Sequence, residues 1–185
     1  NTLLARASDG QAWSNIAQTS VTVDEQVIDP SVLLMEDFND GVANDFVPVT
    51  GNWQVLDDRY QVTPAVGDNG VSQLPPLTLP TSFMFEATVN IDAAGTGRAS
   101  NGLMLFEVVD GSNYKFAGGL EGGNKWMIGE VVNGTATALS LLEESVAPNT
   151  DYTLKIQIDG GLVTLQVDGI AKVSYDFGTS VSGGA

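Results

Sequence analysis

"DYTLKIQIDGGLVTLQVDGIAKVSYDF", residues 151–177, alternates apolar and polar side chains in three short runs separated by Asp159-Gly160 and Asp168-Gly169. A period of two marks a strand with one buried face. Asp-Gly between two such runs is the strongest short-range hairpin signal, because both residues tolerate the positive φ that a tight turn demands. The segment therefore predicts three antiparallel strands, and the same pattern extends outward. "NGLMLFEVVDGSNYKFAGGLEGGNKWMIGEVVNGT" (101–135) reads as three strands joined at Asp110-Gly111 and Gly122-Gly123. "SFMFEATVNID" (82–92) is one long strand, "GNWQVLDDRYQV" (51–62) is two around Asp57-Asp58, and "AQTSVTVDE" (17–25) is another short run. Helical periodicity is nearly absent; "LLEESVAPNTD" (141–151) has room for a helical turn or a solvated connection. The expected fold is all-β and antiparallel, a two-sheet sandwich with a short N-terminal β segment.

Composition narrows the chemistry. Of the 185 residues, 43% are hydrophobic, enough for a packed core. The 23 acids outnumber the 7 bases, a net charge of −16. That excludes nucleic acid and anionic lipid as partners, since both need a basic surface. Neither Cys nor His occurs, so disulfides, thiolate nucleophiles, Ser-His-Asp triads and His-based zinc sites are excluded. A metal would have to be held by oxygen, which points to calcium. No apolar run reaches the length of a membrane span, so no membrane insertion is expected. The chain begins with Asn and shows no signal peptide. It is read as part of a longer protein, extracellular or on a cell surface, with neighbouring domains.

The expected organisation is an N-terminal segment (1–24), a linker (25–31, within "DEQVIDPS") and a main domain (32–185). The main domain opens on "EDFNDGVANDF" (36–46). Glu36, Asp37, Asn39 and Asp40 could supply oxygens to a calcium ion, with backbone carbonyls completing the shell. The spacing is not that of an EF-hand loop. The competing reading is an Asx-rich turn in which these side chains bond their own backbone.

The order of features from about residue 33 onward resembles laminin-G-like, concanavalin A-like jelly-roll domains. The resemblance rests on "LMEDFNDG…F…VTGNWQVLDDRYQV", "FMFEATVNI", "GLMLFEVVDGSNYKFAGG" and the later strands "VVNGTATAL" and "APNTDYTLKIQIDGGLVTLQVDGIAKVSYDF". It implies an opening acid-Asp-Phe strand, a structural calcium, and a noncatalytic module that binds carbohydrate or serves as an adhesion or spacer unit. Residues 1–24 likewise resemble the tail of a cadherin-like or Ig-like bacterial repeat. The family's closing strand has no counterpart after "SVSGGA", so either the sequence is truncated there or residues 12–23 fill that position. Laminarinase-like relatives on this fold carry Glu-x-Asp-x-x-Glu along one strand. No such run occurs here, and the chain is expected not to be an enzyme.

Sugar recognition needs an aromatic platform and groups that bond hydroxyls. The candidates are Arg98, Asn101, Tyr114, Glu121 and Trp126, with Arg98 a possible contact for a uronate carboxylate. Alternation separates Tyr114, Phe116 and Leu120 on one face from Lys115 and Glu121 on the other, and for Tyr114 and Trp126 a place in the core is favoured over sugar contact, since a sandwich of this size needs several buried aromatics. Trp53 and Tyr60, in the strands that begin the sandwich, are expected in the core. The functional expectation is a lectin-like module binding a glycan or polysaccharide, in adhesion or substrate targeting. The alternative is a calcium-stabilised spacer or protein-binding module of an adhesin.

Overall fold

A computed structural model describes residues 2–5, 17–20, 31–63, 70–74, 77–93 and 100–181. The chain divides into two compact units, Asn1–Asp37 and Phe38–Ala185, a division that falls after the linker expected at 25–31. In the first unit, β1 (Thr2–Ala5) pairs antiparallel with β2 (Ala17–Ser20). Residues 17–20 of the segment expected to complete the sandwich are thus taken up by a hairpin of their own.

Every described element of the second unit is a strand. Two hairpin-like pairs come first, β3 (Val47–Thr50) with β6 (Val71–Gln73) and β4 (Asn52–Leu56) with β5 (Arg59–Thr63). After them the chain lays down β7 (Ser82–Asn90), then β8 (Ser100–Asp110), β9 (Asn113–Glu121), β10 (Lys125–Val132) and β11 (Thr135–Glu143), and finally β12 (Asp151–Asp159), β13 (Leu162–Val167) and β14 (Ile170–Asp176). One sheet has the order β11-β10-β9-β8 and the other β14-β13-β12-β7. The chain leaves the second sheet after β7, builds the first, and returns to place β12 beside β7. This crossing makes the fold a jelly-roll sandwich rather than a meander.

The turns explain the strand boundaries. Asp57 and Asp58 sit at φ of 52° and 55°, and Asn133-Gly134 and Asp168-Gly169 at 50°/77° and 51°/77°. Asp, Asn and Gly occupy these positions because they bear left-handed backbone at low cost.

The core lies between the facing sheets. Phe106, Ala117, Trp126 and Ile128 meet Leu154, Ile156, Ile158, Val163, Leu165, Val167 and Val173, with Ile91, Val146 and Val181 sealing the ends. Lys115, on this inner side, is 15% exposed; its Nζ lies 2.8 Å from Glu107 Oε1 and 4.8 Å from the centroid of the Phe177 ring. The outer face of the β7-β12-β13-β14 sheet is polar, as in Thr88, Thr153, Thr164 and Gln166. The outer face of β8–β11 is not: it carries Leu103, Leu105, Tyr114, Phe116, Met127 and Leu141.

Two sequence expectations change here. Residues 32–38 form irregular chain instead of a strand, because Phe38 adopts φ of 59° and Asp40 closes a local turn by accepting the Val42 N–H at 3.0 Å. Trp53 and Tyr60 are half-buried, outside the sandwich core. Tyr60 stacks between Trp53 (4.6 Å) and Phe38 (5.6 Å), with Phe46 tilted against it at 5.2 Å. The two phenylalanines of the acidic stretch therefore anchor that stretch onto the β4–β5 hairpin. The hairpin is itself fixed by Arg59, which donates to both Asp151 oxygens at 2.9 and 2.5 Å, while Asn90 Nδ2 donates to the first at 2.7 Å. These bonds, from Arg59 first and Asn90 next, hold the Asp151 carboxyl down at about 2.

Candidate functional site

Among the described residues, a shallow depression lies at one end of the β8–β11 sheet. The turn between β9 and β10, Gly122-Gly123-Asn124, puts Gly122 at φ of 77° and Asn124 at 49°. Gly122 bears left-handed backbone freely, and Asn is among the side chains that tolerate it. In this pose the Asn124 carbonyl accepts the Glu144 N–H at 3.1 Å and Asn124 Oδ1 accepts the Val146 N–H at 3.3 Å. Asn124 thereby holds the chain leaving β11 against the turn. Between them lies a shallow depression of about 450 Å³ lined by Gly123, Asn124, Glu143, Glu144 and Ser145.

Register completes the surroundings. Lys125 stands opposite Glu143 across β10 and β11, and opposite Leu120 across β9 and β10. A side chain on Gly123 would strike Leu120 at 2.6 Å, so that glycine keeps the floor open beside an apolar neighbour. Glu144 is committed elsewhere: its Oε1 and Oε2 lie 2.9 and 2.7 Å from Lys172 Nζ, which joins the rim to β14. Asn124 Oδ1 is engaged by the Val146 N–H, and Asn124, Ser145 and Glu143 are among the residues that line the depression. A rim of this kind bonds hydroxyls and other neutral polar groups. Among the described residues, the carboxyls of Asp110 and Asp151 are held below the usual range, opposite to what a general acid requires. The Ser112 backbone N–H is the main cause for Asp110.

The five residues singled out for sugar contact do not converge. Asn101 is exposed and Glu121 half-buried, and both lie at this end: Asn101 pairs with Leu120, and Glu121 pairs with Ser100. Tyr114 is half-buried on the outer face but six residues along β9 from Leu120, about 20 Å away at strand rise. Trp126 takes the core role that the sequence favoured for it over sugar contact. It is 1% exposed on the inner face, its ring edge-on to Tyr152 at 5.1 Å and lying over Gly119, and it offers a sugar no open ring face. Arg98 lies outside the described residues. Sequence reading took "LLEESVAPNTD" as a connection and so missed Glu143 to Ser145. The nearest signal was Asn124 after two glycines, but nothing local pairs it with a segment twenty residues on.

The proposed metal ligands are also divided. Glu36 and Asp37 belong to the first compact unit, Asn39 and Asp40 to the second. Asp40 accepts from Val42 N–H through Oδ1 and from Asn44 Nδ2 through Oδ2, the Asx-turn arrangement. Among the described residues no three carboxylates group as a cation site.

No protein-family model matches the sequence, and no curated protein is significantly similar to it. Among solved structures, the carbohydrate binding module CBM66 from Bacillus subtilis is similar in fold, with a TM-score of 0.64 at 17% sequence identity. The alignment covers 76% of this chain and 84% of that one. At this identity the likeness concerns the sandwich.

Proposed function

We propose that this chain is a noncatalytic carbohydrate-binding module of a large secreted or cell-surface protein, serving adhesion or substrate targeting. The observation that carries the reading is the likeness of its sandwich to a carbohydrate binding module over 84% of that module's length. The depression at the β9–β10 turn supplies a compatible place, with Asn124, Glu143 and Ser145 for hydroxyls and Leu120 beside them for the apolar side of a sugar ring. The laminin-G-like kinship and the cadherin-like neighbour expected from the sequence belong to the same reading. The test is a glycan array probed with the folded chain in calcium and again in EDTA, followed by titration calorimetry on any hit. Binding to a coherent sugar set supports the reading; a folded chain that binds no glycan overturns it.

A second reading, a calcium-stabilised spacer in a multidomain adhesin, is favoured by the composition, 23 acids and neither Cys nor His, which leaves oxygen donors for a metal. Its test is thermal melting across a calcium titration. A saturable rise in Tm that EDTA reverses supports it, and an unchanged Tm removes the ion from the account.

A further inference from the structure

Resting on the carbohydrate reading, we infer that the rim at the β9–β10 turn takes a neutral glycan, with Glu143 accepting its hydroxyls, and excludes uronic and sulfated glycans. The chain carries −16 overall, so an anionic polysaccharide meets repulsion before it arrives. At the rim itself, Glu143 and Glu144 stand against Lys125 and Lys172, so no cation is left in excess for an anionic ligand. Lys172 is spent on Glu144 and is only 15% exposed. Lys125 faces Glu143 directly across the strands, so its charge is offset where a ligand would lie.

Among the described residues, no hydrogen bond or ion pair engages the Glu143 carboxylate. An ionised carboxylate only accepts hydrogen bonds. Two neighbouring sugar hydroxyls can donate to its two oxygens at once, and such charge-assisted bonds are the strong kind. A uronate or sulfate group is itself acceptor-only, so against Glu143 it has no proton to offer and adds like-charge repulsion. One such group about 4 Å from a single carboxylate is disfavoured roughly fivefold even at the dielectric of water, and further as water is excluded. Asn124 and Ser145 can donate to the remaining sugar oxygens.

The experiment presents the whole chain with oligosaccharides of matched length and linkage in neutral, uronic and sulfated forms at low and physiological salt. Calorimetry with E143Q, E143A and a distant surface control, Gln166→Ala on the other sheet, follows. Expected is binding to neutral glycans nearly independent of salt, at least tenfold weaker for E143A, intermediate for E143Q and unchanged for the control. Preference for uronic or sulfated glycans overturns this inference while leaving the carbohydrate reading standing. Neutral binding unaffected by both Glu143 variants overturns the assignment to this rim. Absence of binding to any form overturns the carbohydrate reading and this inference with it.

Discussion

Trp126→Ala separates a packing role from a binding role. At 1% exposure the indole contributes most of its surface to the core. A buried tryptophan removes about 150–250 Å² from water. At about 25 cal/mol per Å² that is roughly 4–6 kcal/mol, an upper figure because the unfolded chain is partly compact. Truncations of this type cost about 3–5 kcal/mol. For a domain of this size each kcal/mol lowers Tm by about 2–4 °C, so the expected fall is roughly 6–20 °C. Gly119→Ala approaches the same contact from the opposite strand. Its Cβ would lie 2.5 Å from Trp126 Cζ3 and 3.2 Å from Ile91 Cδ1, which forces the ring to shift. Overpacking of this kind costs about 1–3 kcal/mol. In the double variant the new methyl enters the space the indole vacated, so the two effects should sum to less than their parts by about 1 kcal/mol. Far-UV circular dichroism during thermal and urea unfolding reads all three. A W126A chain that melts within about 2 °C of the wild type, or a strictly additive pair, would refute the packing derived for this residue.

Asp151 predicts an acid limb. Its folded pKa of about 2 lies below the unfolded value of roughly 3.9. Its stabilisation is thus complete above about pH 4 and is lost as pH falls through 2, and D151N should flatten the loss over that window in urea melts at stepped pH. Lys115→Ala should cost about 1–3 kcal/mol in chemical denaturation, because it strands the Glu107 carboxylate, whose Oε2 is buried without a partner. Tyr60→Ala removes the ring that joins Phe38, Phe46 and Trp53, and should cost about 2–4 kcal/mol and admit protease cleavage within residues 38–46. Tyr60→Phe loses only the contact between its hydroxyl and Ser72 Oγ, 3.0 Å in length, and should cost about 1 kcal/mol with the loop still resistant.

The strands were legible in the sequence to within a residue or two where tight turns bound them, as between β12, β13 and β14. The acidic stretch was less so. Its carboxylates drew attention, yet its two phenylalanines decide where it lies, and their partner Tyr60 is remote in sequence. The rim escaped notice for a similar reason. Asn124 and Val146 are brought together by a hydrogen bond across twenty-two positions, and neither residue is unusual in its own segment.

Sequence alone determined the all-β class, the turn positions and the two-faced character of each strand, because alternation and left-handed turn residues act within a few positions of the chain. It also determined the charge balance and the absence of thiol and imidazole chemistry. Tertiary structure decided which face is which. Alternation separated the two faces within each strand, but only the pairing of β9 with β10 puts Trp126 on the side opposite Tyr114, and only the opposing sheet, with Leu154, Ile156 and Leu165, makes Trp126's side the interior. It also decided that β12 returns beside β7 and that Arg59 reaches Asp151, ninety-two positions away. Pairings of that range depend on the cooperative burial of a whole sheet face, a free energy that no local segment carries.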